Sequence, residues 1–189
     1  MKKQLTKKVI AGKYKNKTIL LPSLDSTRSS KSIVKESFFN TIQFDIYEKT
    51  FIEVFAGSGS IGIEALSRGA DTAIFIEKDR AAYKILQQNI ENIGIEDAQT
   101  YNGDSFELFP TLIESQSELI VYIDPPFMIR EGFSDVYEKV VTLIQSIKKE
   151  QLFLIAIEHQ SDIGFEENIG EFKKIKTKKF GKTSLTYYK

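Results

Sequence analysis

Four consecutive residues, Asp124-Pro125-Pro126-Phe127, close the apolar run LIVYI and carry the most specific chemistry in the chain. Two prolines stiffen the loop and bring no N–H of their own, so it presents acceptors: the Asp124 side chain and the Pro125 carbonyl. An exocyclic amine on a nucleobase donates two hydrogen bonds. Drawing both protons toward fixed oxygens localises the nitrogen lone pair for in-line attack on an electrophilic methyl carbon. Phe127 offers a flat surface for stacking the base, worth about 1–3 kcal/mol. Asp124, Pro125, Pro126 and Phe127 are therefore the candidate catalytic residues. A proline pair that simply ends a strand would need neither the acid before it nor the aromatic after it.

A second motif, Gly57-Ser58-Gly59-Ser60-Ile61-Gly62, fits G-x-G-x-x-G. That pattern is weak alone, but here it follows the strand-like FIEVFA and opens the helix-like SIGIEAL, and Glu77 ends the next apolar run about twenty residues on. Backbone around Phe55, Ala56, Gly57, Ser58, Gly59 and Gly62 could approach a nucleoside closely. Glu77, followed by Lys78, could accept hydrogen bonds from ribose hydroxyls. A tight strand-to-helix turn beside a surface acid is the plain alternative. NAD and S-adenosylmethionine both suit such a loop, and Glu53 favours the second. Its carboxylate, four residues before Gly57, could hold the ammonium end of a methionine moiety, because a charge buried at a strand end needs a cation to answer it. Otherwise Glu53 is an ordinary first-strand residue. Asp104, with Ser105 after it, could receive an adenine amino group or cap the helix that begins there.

The elements that would position these residues are legible in the pattern. VIAGKYKNKTILLP reads as a small basic β-hairpin, an appendage, and Ser29 or Ser30 can cap a helix in which Ile33, Val34, Phe38 and Ile42 recur at helical spacing. From Phe51, apolar runs (FIEVF, AIFIE, AQTYN, LIVYID, LFLIAIE) alternate with amphipathic segments, the signature of an α/β, doubly wound, mostly parallel sheet. EFKKIKTKKF and GKTSLTYYK read as a terminal antiparallel hairpin turning at Gly181. We expect an extension over residues 1–45 and a main domain over 46–189.

Composition excludes several classes. No cysteine is present, so disulfides and thiolate metal sites are ruled out, and the lone His159 cannot form a histidine cluster; metal chemistry would have to rest on carboxylates alone, and no metal site is expected. No apolar stretch suits a signal peptide or membrane span, which predicts a cytoplasmic protein with no membrane partner. The zero net charge hides segregation: residues 1–35 hold ten Lys/Arg against Asp25 alone, residues 173–189 hold seven Lys and no acid, and the middle is correspondingly acidic. If the fold gathers both ends on one side, they form a cationic face for a phosphate backbone. The candidate residues for that backbone-binding face are Lys7, Lys8, Lys13, Lys15, Lys17, Arg28 and Lys35.

FAGSGSIGIEALSRGA, IEKD, DPPF, VIAGKYKNKTILLP and KKFGKTSLTYYK together resemble the bacterial 16S ribosomal RNA guanine-N2 methyltransferase family over nearly the whole chain. Arg28, Lys35, Glu36 and Asn40 match its leading segment. Arg28-Ser29-Ser30 and Ser32-Ile33 depart from the family's Arg-Pro-Thr and Asp-Arg. The resemblance implies a Rossmann-like class I methyltransferase with a seven-stranded sheet, S-adenosylmethionine as cofactor, and methylation of a guanine N2 in 16S rRNA, free or within a partly assembled 30S subunit, by a monomer. The DPPF loop alone serves guanine and adenine alike, so adenine in DNA or RNA, or glutamine in a protein, remains an alternative acceptor. An NAD-dependent oxidoreductase lacks a catalytic His or Tyr-Lys pair in a suitable place, and a plain RNA-binding module would leave the middle of the chain unexplained.

Overall fold

A computed structural model describes residues 4–22, 30–126 and 136–189. Its elements follow the hydropathy alternation. In chain order they are β1 (Thr6–Lys8), β2 (Thr18–Leu20), α1 (Ser30–Ile42), β3 (Thr50–Glu53), α2 (Ser60–Arg68), β4 (Thr72–Glu77), α3 (Arg80–Ile93) and β5 (Ala98–Asn102). There follow α4 (Ser105–Leu112), β6 (Leu119–Ile123), α5 (Val136–Gln145), a 3-10 turn (Lys149–Gln151), β7 (Leu152–Gln160), β8 (Asn168–Ile169), β9 (Phe172–Phe180) and β10 (Thr183–Tyr188). All five residues of β6 are buried, as expected for a parallel strand covered on both faces.

The main sheet has the order β5-β4-β3-β6-β7-β10-β9-β8. The first five strands run parallel, and β10, β9 and β8 add antiparallel partners to the β7 edge. It holds eight strands where seven were expected. The extra one, Asn168–Ile169, pairs with Lys173 and Phe172 and is too short to mark a hydropathy pattern. From β3 the chain builds outward through β4 to β5 and then returns across β3 to β6. Strand order thus reverses between β3 and β6, which opens a crevice at their carboxyl ends.

Two apolar layers sandwich the sheet. One gathers α1, α2, α3 and the N-terminal hairpin over Phe51, Phe75, Tyr122, Leu185 and Tyr187; the other gathers α4 and α5 over Ile52, Ile74, Val121, Ile155 and Tyr188. In α1, Val34, Phe38, Phe39 and Ile42 are buried, but Ile33 is 59% exposed. At 100° per residue, Ile33 falls nearly opposite the centre of the buried stripe, so it does not share the face of Val34, Phe38 and Ile42 as expected.

The hairpin is packed into the body. Val9, Tyr14, Ile19 and Leu21 are buried in the α1–α3 layer. Its tip lies on α2, where the Lys13 N–H donates to the Ser67 carbonyl and the Tyr14 N–H to Ser67 Oγ. Approach is so close that a Cβ on Gly12 would sit 1.6 Å from the Ser67 carbonyl oxygen. On the other side Asn89 of α3 clasps β2, accepting from the Leu20 N–H and donating to the Leu20 carbonyl. Glu64 of α2 ties these parts together. Fully buried, its carboxylate accepts from the N–H groups of Ile10 and Ala11 at 3.0 Å each and pairs with Arg68 Nε at 2.8 Å and Lys35 Nζ at 3.1 Å. Burial pushes its carboxyl upward, but Lys35, the Ile10 N–H and Arg68 outweigh that and hold it below the ordinary value.

Candidate active site

A cavity of about 690 Å³ opens at the carboxyl ends of β3, β4 and β6, within the size range of small-molecule sites. Its nucleoside-like side is built on the glycine turn. Gly57 faces open space, and its N–H donates to Glu77 Oε2 at 2.6 Å, while Glu77 Oε1 accepts from the Asp79 N–H at 2.7 Å. The Glu77 carboxylate thus fixes the loop and lines the cavity. Gly62 lies beneath, on α2, where a Cβ would stand 2.3 Å from the Phe75 ring. The third glycine therefore permits helix and strand to touch. Phe55 and Phe106 meet edge to face at 5.5 Å and form an apolar wall.

Asp104 caps α4, accepting from the Phe106 N–H at 2.9 Å, and pairs with the exposed Lys78 at 2.7 Å. The hydrogen bond from Lys78 holds the Asp104 carboxyl below its ordinary value, outweighing burial with help from the Phe106 N–H. Ser105 is buried and donates to the Val54 carbonyl, pinning α4 to the end of β3. Asp104 therefore fills the capping role considered from sequence and still lines the cavity.

The opposite side is acidic and deeper. Glu53 is buried at the end of β3, and its carboxylate accepts from the Gly62 N–H at 2.8 Å and the Ile61 N–H at 3.3 Å, facing the amino end of α2. Burial raises its carboxyl to about 8, with Asp124 adding to the rise and the two N–H groups and Lys35 opposing it. Beside it, Tyr122 Oη donates to Glu158 Oε2 at 2.7 Å, and both residues are buried. Burial, then the charges of Glu158 and Asp124, push the Tyr122 hydroxyl well above its ordinary range. Asp124 follows β6 at the cavity lip with Pro125 buried and Pro126 exposed; Asp124 and Pro126 line the cavity.

Of the residues singled out from sequence, Glu53, Phe55, Ala56, Gly57, Ser58, Glu77, Lys78, Asp104, Ser105, Asp124 and Pro126 line this one cavity. Gly59 and Gly62 pack against Phe75, and Pro125 is buried between Asp124 and Pro126. Phe127 and Arg28 lie outside the described residues. Lys8, Lys13, Lys15 and Lys17 are exposed on the hairpin, and Lys7 reaches the cavity rim. Lys35 does not join that exposed set. It is 8% exposed, and its Nζ donates to the Ser60 carbonyl at 2.8 Å as well as pairing with Glu64, so in this arrangement it braces the cavity wall. Sequence reading missed Glu158 and Tyr122. The available signal was a carboxylate inside the apolar run LFLIAIE, where an idle charge would be expensive.

Comparison with known proteins agrees with this architecture. A profile of the family described as "Conserved hypothetical protein 95" matches residues 7–189. The Bacillus subtilis (strain 168) protein YlbH, provisionally named an rRNA methyltransferase, is 28% identical over 186 residues, covering 96% of this chain and 98% of that one. Ribosomal RNA small subunit methyltransferase D of Escherichia coli (strain K12) is 30% identical over 138 residues, or 73% of this chain and 66% of the relative. Among solved structures, Escherichia coli yhhF, provisionally named a methyltransferase, superposes with a TM-score of 0.76 at 27% identity and covers 97% of each chain. The fold is that of the class I methyltransferases.

Proposed function

Because this chain belongs to the Conserved hypothetical protein 95 family, we propose that it is a methyltransferase that uses S-adenosylmethionine to methylate ribosomal RNA, at the exocyclic N2 amine of a guanine in the small-subunit RNA. The observation that carries this reading is the meeting of two motifs in one cavity: Asp124 and Pro126 at the end of β6, and Gly57 and Glu77 at the ends of β3 and β4. The naming of the relatives above supports rRNA as the substrate class.

The residues present suit this cofactor. Glu77 already accepts from two backbone N–H groups and keeps lone pairs for ribose hydroxyls. Phe55 and Phe106 offer an apolar wall for a purine. Glu53 is a buried carboxyl lining the cavity, a position at which an ammonium group can answer its charge. When bound, the cofactor supplies an electrophilic methyl group.

The chain's own contribution is to hold the acceptor. Asp124 Oδ and the Pro125 carbonyl accept the two amine protons, fixing the nitrogen with its lone pair toward the methyl. Once the nitrogen carried the methyl, with the demethylated thioether as the other product, one of its protons would be acidic and would leave along the hydrogen bond to Asp124. No strong base is required beforehand, because positioning and the fixed acceptors supply the advantage. Phe127, by its place after Pro126, is assigned to stacking. Lys7, Lys8, Lys13, Lys15, Lys17 and Arg28 are assigned to the phosphate backbone.

Asp124→Ala should lower methyl transfer by at least about 100-fold while changing cofactor affinity less than threefold, on the scale of losing a positioning and proton-accepting group. Transfer is measured with methyl-labelled cofactor and rRNA from a strain lacking the protein, followed by nucleoside analysis. Wild-type turnover by the variant, or label on adenine, would refute the assignment.

A further inference from the structure

The Asp-Pro-Pro loop grips an amine but does not choose between guanine and adenine. The residue placed to choose is Glu158. In the parallel ladder of β6 and β7, Ile123 pairs with Ile157, so the next residues, Asp124 and Glu158, leave neighbouring strands side by side, about 5 Å apart along the sheet. Both line the cavity. Glu158 is held in place: its Oε2 accepts from Tyr122 Oη at 2.7 Å, and the Tyr122 ring is wedged edge to face against Phe38 at 4.8 Å.

The two bases differ in what lies beside the amine. Guanine places its N1–H donor next to the N2 amine, so those two neighbouring groups both donate, with the O6 acceptor beyond them. Adenine places the bare N1 acceptor next to N6. A carboxylate only accepts. Two adjacent carboxylates therefore match the N1–H and N2–H donors of guanine and set a lone pair of adenine against a negative oxygen. Exclusion of this kind, by an unmatched polar group, discriminates more strongly than a missing methylene does.

We propose that Glu158 is the specificity residue of this site, accepting the guanine N1–H while Asp124 and Pro125 hold the N2 amine. The assignment rests on the guanine-N2 reading of the cavity. Tyr122 is its positioning residue, because it sets the carboxylate's orientation without reaching the base.

The test uses an RNA carrying either guanine or 2-aminopurine at the methylated position. 2-Aminopurine keeps the N2 amine but has a bare N1. With the unaltered protein, kcat/KM should favour guanine by at least about tenfold, the cost of facing a charged acceptor with no donor. Glu158→Gln, whose amide can donate as well as accept, should narrow that ratio more than twofold. Cofactor affinity within threefold of the unaltered protein shows that the variant has folded. Equal rates on the two bases in the unaltered protein, a measurement that needs no variant, would overturn the proposal. So would a folded Glu158→Gln that keeps the original ratio within twofold. If the unaltered protein forms no N2-methylguanine at all, the guanine-N2 reading fails instead.

Discussion

At the scale of single residues, the most informative group is Glu53, a carboxyl buried where a strand ends and raised to about 8. Its affinity for a proton in the folded chain exceeds that of an ordinary glutamate. The stability it contributes is therefore complete below about 4.5 and is lost as pH rises through about 8, where a buried group must ionise. The free protein should lose on the order of a few kcal/mol across that window. Glu53→Gln should flatten the dependence, and thermal unfolding between pH 5 and 8.5 measures both. A cationic ligand end beside Glu53 would reverse the preference and release a proton on binding. Calorimetry in two buffers of different ionisation enthalpy should show a binding enthalpy that depends on the buffer at pH 7 and no longer does so in Glu53→Gln. His159 carries no comparable role. It is buried, accepts from Thr186 through Nε2 in the tautomer that donates from Nδ1 to the Gln160 carbonyl, and is held below its ordinary value by burial.

Among the elements, the join between hairpin, α1 and α2 depends on Glu64. Glu64→Ala would strand the buried Lys35 ammonium and leave the Ile10 and Ala11 N–H groups without the carboxylate that accepts from them. The expected loss is about 3–5 kcal/mol by denaturant titration, the scale for breaking a buried ion pair from one side. Because its carboxyl is held below the ordinary value, the stability Glu64 contributes is present above that value and disappears as pH falls through the depressed one. The elements themselves were readable from sequence wherever hydropathy had a clear period. FIEVF, AIFIE and LIVYI are continuous apolar runs and could hardly be anything but covered strands. What escaped was set by tertiary pairing. Asn168–Ile169 is a strand only because β9 lies beside it. The site shows the same division. Asp124 and Glu77 announce themselves through local motifs, whereas Glu158 and Tyr122 lie 36 residues apart and become partners only through the ladder between β6 and β7.

For the whole molecule, the apolar side chains of the hairpin and of β10 share one layer. The hairpin packs with α1, α2 and α3, and Leu185 and Tyr187 of β10 enter that same layer. On it Lys176 lies over the Tyr187 ring and Lys178 donates to Ser37 and Thr41 of α1. The described hairpin and the β9–β10 pair thus pack into one layer, the hairpin on α2 and α3 and Lys178 on α1. If the hairpin lysines bind phosphates, replacing Lys8, Lys15 and Lys17 by Ala should weaken RNA binding and reduce the slope of log affinity against log salt by about one for each phosphate no longer neutralised. Filter binding from 50 to 250 mM salt measures it, and an unchanged slope would remove the hairpin from the RNA face.

The clasp between Asn89 and the backbone of Leu20 joins residues 69 apart in the chain. A ribosome making this protein emits the hairpin first and its anchor much later, so for that interval the lysine-rich segment is a tethered, undocked cation within reach of the machine's own RNA. Seating it must wait until α3 has emerged from the exit tunnel, and the surface assigned to substrate becomes fixed only when the parallel half of the sheet is under way.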